Sequence, residues 1–157
     1  MALNNTQLQT LATAIRAETN QICVNALSIR DDVAMTNKWV NIPSTQNAWN
    51  TSMDRTALFE ATPLTKFDDL LEGKRDGWNL LMSSTPVDFS RNKTRRAVTD
   101  TWDANADGVL ASCVRKATNG EKYLGGVDTT EGTVTAWKLA VPGDVSQDDV
   151  SKALNRY

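Results

Sequence analysis

Four prolines, Pro43, Pro63, Pro86 and Pro142, limit the length of every element this chain can form. Each removes a backbone donor and pushes the preceding residue out of helical geometry, so no helix runs through them. Between these stops, apolar residues mostly recur three and four apart, the spacing of short amphipathic helices. Asn5 or Thr6 caps a first helix through Ala17, with Leu8, Leu11, Ala12 and Ile15 on one face. A second helix spans Asn20 to Ile29 with Arg30 in its last turn, and a third opens on Asp31 and Asp32 and carries Val33, Ala34, Trp39 and Val40 up to Pro43. The polar stretch 43–52 around Trp49 has no period and reads as a loop, and a helical turn or two follows over Met53 to Ala61.

The strongest helical signal lies between Thr65 and Ser83, where Phe67, Leu70, Leu71, Lys74, Trp78 and Leu81 share a face. Gly73 and Gly77 sit four apart within it, which predicts close approach of another backbone; the alternative is a helix broken at Gly73. Ser90 is the cap for a helix burying Thr94, Ala97, Val98, Thr101 and Trp102, and a further helix carries Leu110, Cys113, Val114 and Ala117 as far as Asn119-Gly120. Gly, Thr and acidic residues over 123–132 read as an exposed arm. Thr133 to Val141 reads as a strand with Thr133, Thr135, Trp137, Leu139 and Val141 on one side, in need of a partner strand nearby or in another subunit. Ser146 and Asp149 cap a final helix whose apolar face is Val150, Ala153, Leu154 and Tyr157. The expected fold is mainly α: a compact helical bundle with an extended arm or β-hairpin/strand and a short C-terminal helix. Residues 1–122 form the helical core domain, and 123–157 the arm with strand and terminal amphipathic helix.

At 157 residues, with 40% hydrophobic and 23% charged side chains, the chain has the means to bury one core. The opening residues show neither the basic nor the apolar region of a secretory leader, and no apolar run is long enough to span a bilayer, so a cytosolic, non-membrane protein is expected. A net charge of −2 makes no strong field toward nucleic acid or away from it. Histidine is absent, which removes the commonest general base and transition-metal ligand. Cys23 and Cys113 lack the paired spacings of zinc or redox motifs and read as buried apolar side chains. With no phosphate loop and no nucleophile-base set either, the chain is expected to be no enzyme and to carry no metal or cofactor.

Three clusters still invite a chemical reading. Asp103-Ala-Asn105-Ala-Asp107-Gly108 matches the first half of a calcium-binding EF-hand loop, but Val114 stands at the twelfth position, where a bidentate carboxylate is needed, so a helix break is preferred. Arg91, Lys93, Arg95 and Arg96 begin at a helix N-terminus, where the dipole disfavours cations, and suit a phosphate backbone or an acidic partner surface; the plainer alternative is a solvated helix face. Asp68, Asp69 and Glu72, and Asp148 with Asp149, read as charge at helix starts.

Several segments taken together, Trp39-Val-Asn41-Ile-Pro-Ser44, Trp49, Phe67-Asp-Asp-Leu70-Leu-Glu-Gly73-Lys-Arg-Asp-Gly-Trp78, Arg95-Arg-Ala-Val98-Thr-Asp-Thr-Trp102 and Asp149-Val-Ser-Lys-Ala-Leu154, resemble the head-to-tail connector (neck adaptor) proteins of tailed bacteriophages. The resemblance implies a structural virion protein made in the bacterial cytoplasm and assembled as a homo-oligomeric ring in the neck. Its partners would be the portal protein and a tail or nozzle protein, with DNA passing through the channel without sequence-specific binding. On that expectation Arg91, Lys93, Arg95 and Arg96 meet DNA or the portal, and Trp137, Leu139, Val141, Val150, Leu154 and Tyr157 form an arm reaching a neighbouring subunit. The competing expectations are a small cytosolic nucleic-acid-binding or regulatory module using the basic helix 91–96, and a calcium sensor or metal-dependent enzyme built on Asp103 to Asp107.

Overall fold

Side chains that accept hydrogen bonds from the first free backbone N–H groups decide where most of the longer helices begin. The computed structural model describes residues 2–157. Asn4 opens α1 (Asn5–Ala17) in a reciprocal box with Gln7, Asn20 opens α2 (Gln21–Ser28), and Asp31 opens α3 (Asp32–Met35), which runs on as a π turn over Thr36–Val40. After β1 (Pro43–Trp49), Asp54 caps α4 (Arg55–Ala61), followed by α5 (Leu64–Phe67), α6 (Glu72–Ser83) and α7 (Asn92–Trp102). A 3₁₀ turn at Asp103–Asn105 leads to α8 (Ala106–Ser112), β2 (Val114–Thr118) and α9 (Asn119–Leu124), the last capped by Thr118 and Glu121 together. The hairpin of β3 (Gly126–Glu131) and β4 (Val134–Leu139) and the Ser146-capped α10 (Gln147–Arg156) complete the chain.

The expectation of a mainly α bundle is overturned: beside 58% helix the chain builds a four-stranded mixed sheet, in the order β2-β1-β4-β3. The missed strands share a physical cause, which is that their side chains do not alternate cleanly between oil and water. In β1 the polar run Ser44 to Asn47 is half or fully exposed and only Ala48 and Trp49 are buried, so no period-2 apolar pattern forms. In β2, Val114 and Ala117 continue the helical spacing of Leu110 and Cys113, yet Cys113 already closes α8. In β3 the residues expected as an open arm form a hairpin with β4. The expected strand at 133–141 is β4, and its required partner comes from its own chain: it runs parallel to β1, with Ala48 opposite Trp137. The helix predicted over 65–83 is broken too, at 68–71 rather than at Gly73, and Leu71 there has extended backbone.

The described residues divide into two compact units, one made of residues 2–46, 116–126 and 139–157, the other of residues 47–115 and 127–138. In the first, α1 packs on α10 and α9, and α2 on α3, around Leu8, Leu11, Ile15, Met35, Val40 and Val150. α2 ends in paired bonds, Asp31 N–H to Ala26 O and Arg30 N–H to Leu27 O, with Arg30 in the left-handed region at φ 53°. A glycine usually fills that place. Here Arg30 uses its side chain, donating to Leu154 O and Asn155 Oδ1 at the end of α10, where Arg16 also donates to Leu154 O.

In the second unit α7 packs on α6 and α8, and α4 on α6, around Trp49, Leu58, Trp78, Phe89, Val98, Trp102 and Leu110. Trp78 and Trp102 meet edge to face with centroids 5.4 Å apart, and Trp78 Nε1 donates to Thr62 Oγ1 at 3.0 Å. Among the described residues no helix is long and apolar enough to cross a membrane.

Candidate functional site

The four cations of α7 do not act together. Val98 and Trp102 are buried, and Arg95 lies three and seven positions before them, so the helix that buries those two must also turn Arg95 inward. Only 4% of Arg95 is exposed. Its Nη1 donates to Phe89 O at 2.9 Å and Ser90 O at 2.7 Å, and its guanidinium carbon stands 5.0 Å from the Trp49 ring centroid. Burial pulls the Arg95 pKa below the usual arginine value, while Glu131 and Asp88 oppose the shift. Arg95 therefore fastens the turn before α7 to the core of its unit.

Arg91, Lys93 and Arg96 remain exposed. Arg91 Nε leans on Asp88 Oδ2 at 3.4 Å, and Asp88 also receives Ser90 N–H and Oγ–H, which turns the expected cap Ser90 away from the helix. Lys93 and Arg96 line a shallow concavity with Asn92, Ala97 and Asp100. The predicted buried stripe is displaced accordingly: Ala97 is exposed, and Arg95 takes the inward place.

The residues expected to reach a neighbouring subunit are distributed differently. Val141, Val150 and Leu154 come together in the core of the first unit, and Leu139 is buried. Trp137 is half-buried in β4, and of the set only Tyr157, 43% exposed, presents a large free surface.

The carboxylates of the calcium-like stretch point at protein partners. Asp103 Oδ2 receives Lys74 Nζ at 2.8 Å, and Asp107 receives Thr133 N–H at 3.2 Å and Thr133 Oγ1 at 2.9 Å. Asp107 thus braces the β3–β4 turn at Gly132, whose φ is +58°. Among the described residues no three His, Cys, Asp or Glu side chains are gathered as a metal cage would need.

Polar groups that sequence reasoning missed, partly buried at Glu18 and Tyr123 and wholly buried at Glu121, lie in the first unit. Trp39 Nε1 donates to the Tyr123 hydroxyl at 2.8 Å, which donates to Glu18 Oε2 at 2.7 Å. The Tyr123 bond holds the Glu18 carboxyl below its ordinary pKa, and burial pushes the Tyr123 hydroxyl well above its own. Glu121, wholly buried, accepts Thr118 N–H at 2.9 Å and Gly143 N–H at 2.8 Å. Its signal was present in the Thr118-x-x-Glu121 box; Glu18, far from Tyr123 in sequence, left none. Burial raises the Cys23 thiol to about 11 and Cys113 to about 12, so neither is a nucleophile near neutral pH.

One apolar surface of the first unit stays in water. Ile22, Ala26, Ile29 and Ala34 line a groove on α2 and α3 together with Asn25, Asp31 and Lys38. Ile29 is 74% exposed and Val33 of α3 50%. The chain matches no protein-family model, no curated protein and no solved structure.

Proposed function

We propose that this chain is a structural connector of a tailed-phage neck, a subunit of a ring held between the portal and the tail around the DNA channel. The observation that carries the reading is the exposed groove at α2 and α3, where Ile22 and Ile29 stand in water, with Val33 of α3 exposed outside its lining. Large apolar side chains gathered on one face are the surface by which subunits join, because covering them removes apolar area from water at about 25 cal/mol per Å². A ring needs head-to-tail contacts that close, and a groove that receives a different surface of the next subunit or of the portal supplies one half of such a contact. The segments that resemble connector proteins support the same assignment. Arg91, Lys93 and Arg96 give this subunit an exposed cationic edge for DNA or an acidic partner surface. The buried Arg95 is excluded from that role and serves as a brace.

The test is association with the portal protein encoded by the same genome. The wild-type chain is expected to co-sediment with portal oligomers, and Ile22→Asp with Ile29→Asp to abolish this while leaving the fold intact. A wild-type chain that never associates contradicts the proposal. The exposed cations favour a second reading, a small nucleic-acid-binding module. Three phosphate contacts would then give DNA affinity a log–log salt slope of about −3 in the free chain.

A further inference from the structure

The four-stranded sheet ends in two edges of opposite charge, β2 on one side and β3 on the other. An edge strand offers a row of backbone N–H and C=O groups to any extended chain that comes beside it. Proteins commonly guard such edges with proline or lysine, and β3 carries neither. Its β-branched Val127, Thr129 and Thr130 favour pairing, and Val127 stands 68% exposed next to exposed Asp128.

Charge selects the strand that fits. β3 holds Asp128 and Glu131 and no cation, whereas β2 holds Arg115 and Lys116 and no carboxylate. Successive residues of a strand face opposite sides of the sheet, so Arg115 and Lys116 set one cation on each face. Asp128 and Glu131, three apart, likewise set one carboxylate on each. β3 laid on a second β3 brings carboxylates together, and β2 on a second β2 brings cations together. Only β3 on β2 joins opposite signs on both faces.

The strand directions let this joint repeat. Asn119 N–H bonds Ile42 O at one end of the β1–β2 pair and Asn50 N–H bonds Cys113 O at the other, so β2 runs antiparallel to β1. β4 is parallel to β1, and the hairpin reverses β3 against β4; β2 and β3 therefore point the same way at the two edges. A second copy in the same orientation lays its β2 parallel to β3 of the first, with the faces of the two sheets matching, and leaves its own β3 open to a third. Successive copies are then related by rotation about an axis along the strands, which is the operation of a cyclic ring. We propose that β3 of each chain binds β2 of the next copy of this chain, so that the sheets of neighbouring subunits run on around a closed ring. Closure rests on the connector reading; the joint itself rests on these two strands, and it leaves the groove of α2 and α3 to the portal.

Sedimentation of the full chain across concentration tests the joint, with negative-stain imaging of what forms and circular dichroism as the check on folding. The wild type is expected to grow past a dimer into closed rings. Val127→Lys with Asp128→Lys makes the β3 edge cationic and spares Glu131, which accepts from Thr99 Oγ1. That variant is expected to raise the dissociation constant of the joint about a hundredfold. Arg115→Glu with Lys116→Glu, which makes the β2 edge anionic, is expected to do the same. Each variant alone has two edges of one sign. Mixed, the cationic β3 of the first meets the anionic β2 of the second, and the native edges meet in turn, so rings of alternating chains are expected to return, a result that loss of folding cannot produce. A wild type that stays monomeric overturns the proposal, as do pairs that stop at two, filaments that never close, or mixed variants that fail to assemble. Rings that form without binding portal uphold the joint and contradict the connector reading, whereas portal binding by a chain that never joins its own copies overturns the joint and leaves the portal contact standing.

Discussion

Arg95 shows how much one side chain settles about the run of charge around it. Removing it strands two carbonyls, of Phe89 and Ser90, and leaves a hole over Trp49. Arg95→Ala is therefore expected to lower stability by about 3 kcal/mol in urea denaturation, whereas Arg96→Ala on the exposed side should change it by less than about 0.5 kcal/mol. Equal effects would show that the two guanidiniums share an environment. The spacing of Arg95 to Val98 and Trp102 was in the sequence all along, but four clustered cations invite the assumption that charge faces water. Tyr123 is the second residue whose role is local and testable. Tyr123→Phe removes the acceptor of Trp39 N–H and the donor to Glu18, and should cost about 1–2 kcal/mol at neutral pH. Because Glu18 titrates lower in the folded chain than its ordinary value of 4.5, its contribution is complete above that value and is lost as pH falls through the depressed pKa. Tyr123→Phe should thus flatten the acid limb of the stability profile below about pH 4.5, measured by denaturation across pH. An unchanged limb would mean that the hydroxyl does not hold the carboxylate.

Helices were more legible than strands because a helix announces its own start while a strand depends on its neighbours. Ser146 caps α10 where the pattern placed it, and the second helix begins one residue after the expected start, with Asn20 as its cap. β1 offered no such signal, since its burial is conferred by the strands and helices around it and reaches only Ala48 and Trp49. The break at 68–71 follows from the same limitation: Phe67 and Leu70 keep helical spacing, and both stay partly buried across an interruption that the period does not reveal. Two glycines make the contrast measurable. Gly77 lies in open space inside α6, so Gly77→Ala should stabilise the chain by about 0.5–1 kcal/mol. Gly132 turns the β3–β4 hairpin at φ +58°, and a Cβ there would stand 2.2 Å from Asp107 Oδ1, so Gly132→Ala should destabilise by about 2 kcal/mol. Thermal melts of the two variants should move in opposite directions; a common direction would contradict the assignment of Asp107 as the brace of that turn.

At the scale of the whole molecule, the residues first assigned to reaching a neighbour and the surface now proposed for it are different ones. Val141, Val150 and Leu154 satisfy their own core, whereas Ile22, Ile29 and Val33 stand in water on helices that looked self-contained. Amphipathic spacing reveals that a face is apolar, but whether that face meets the same chain or another depends on how the helices pack. A connector subunit should be folded before assembly and keep its joining surfaces exposed, and the groove on α2 and α3 has that character. Electron microscopy of intact particles, with this chain labelled, tests the assignment most directly. The label should fall on a closed ring between portal and tail, with α2 and α3 of each subunit against a neighbouring protein; label elsewhere on the particle, or particles complete without the chain, would contradict it.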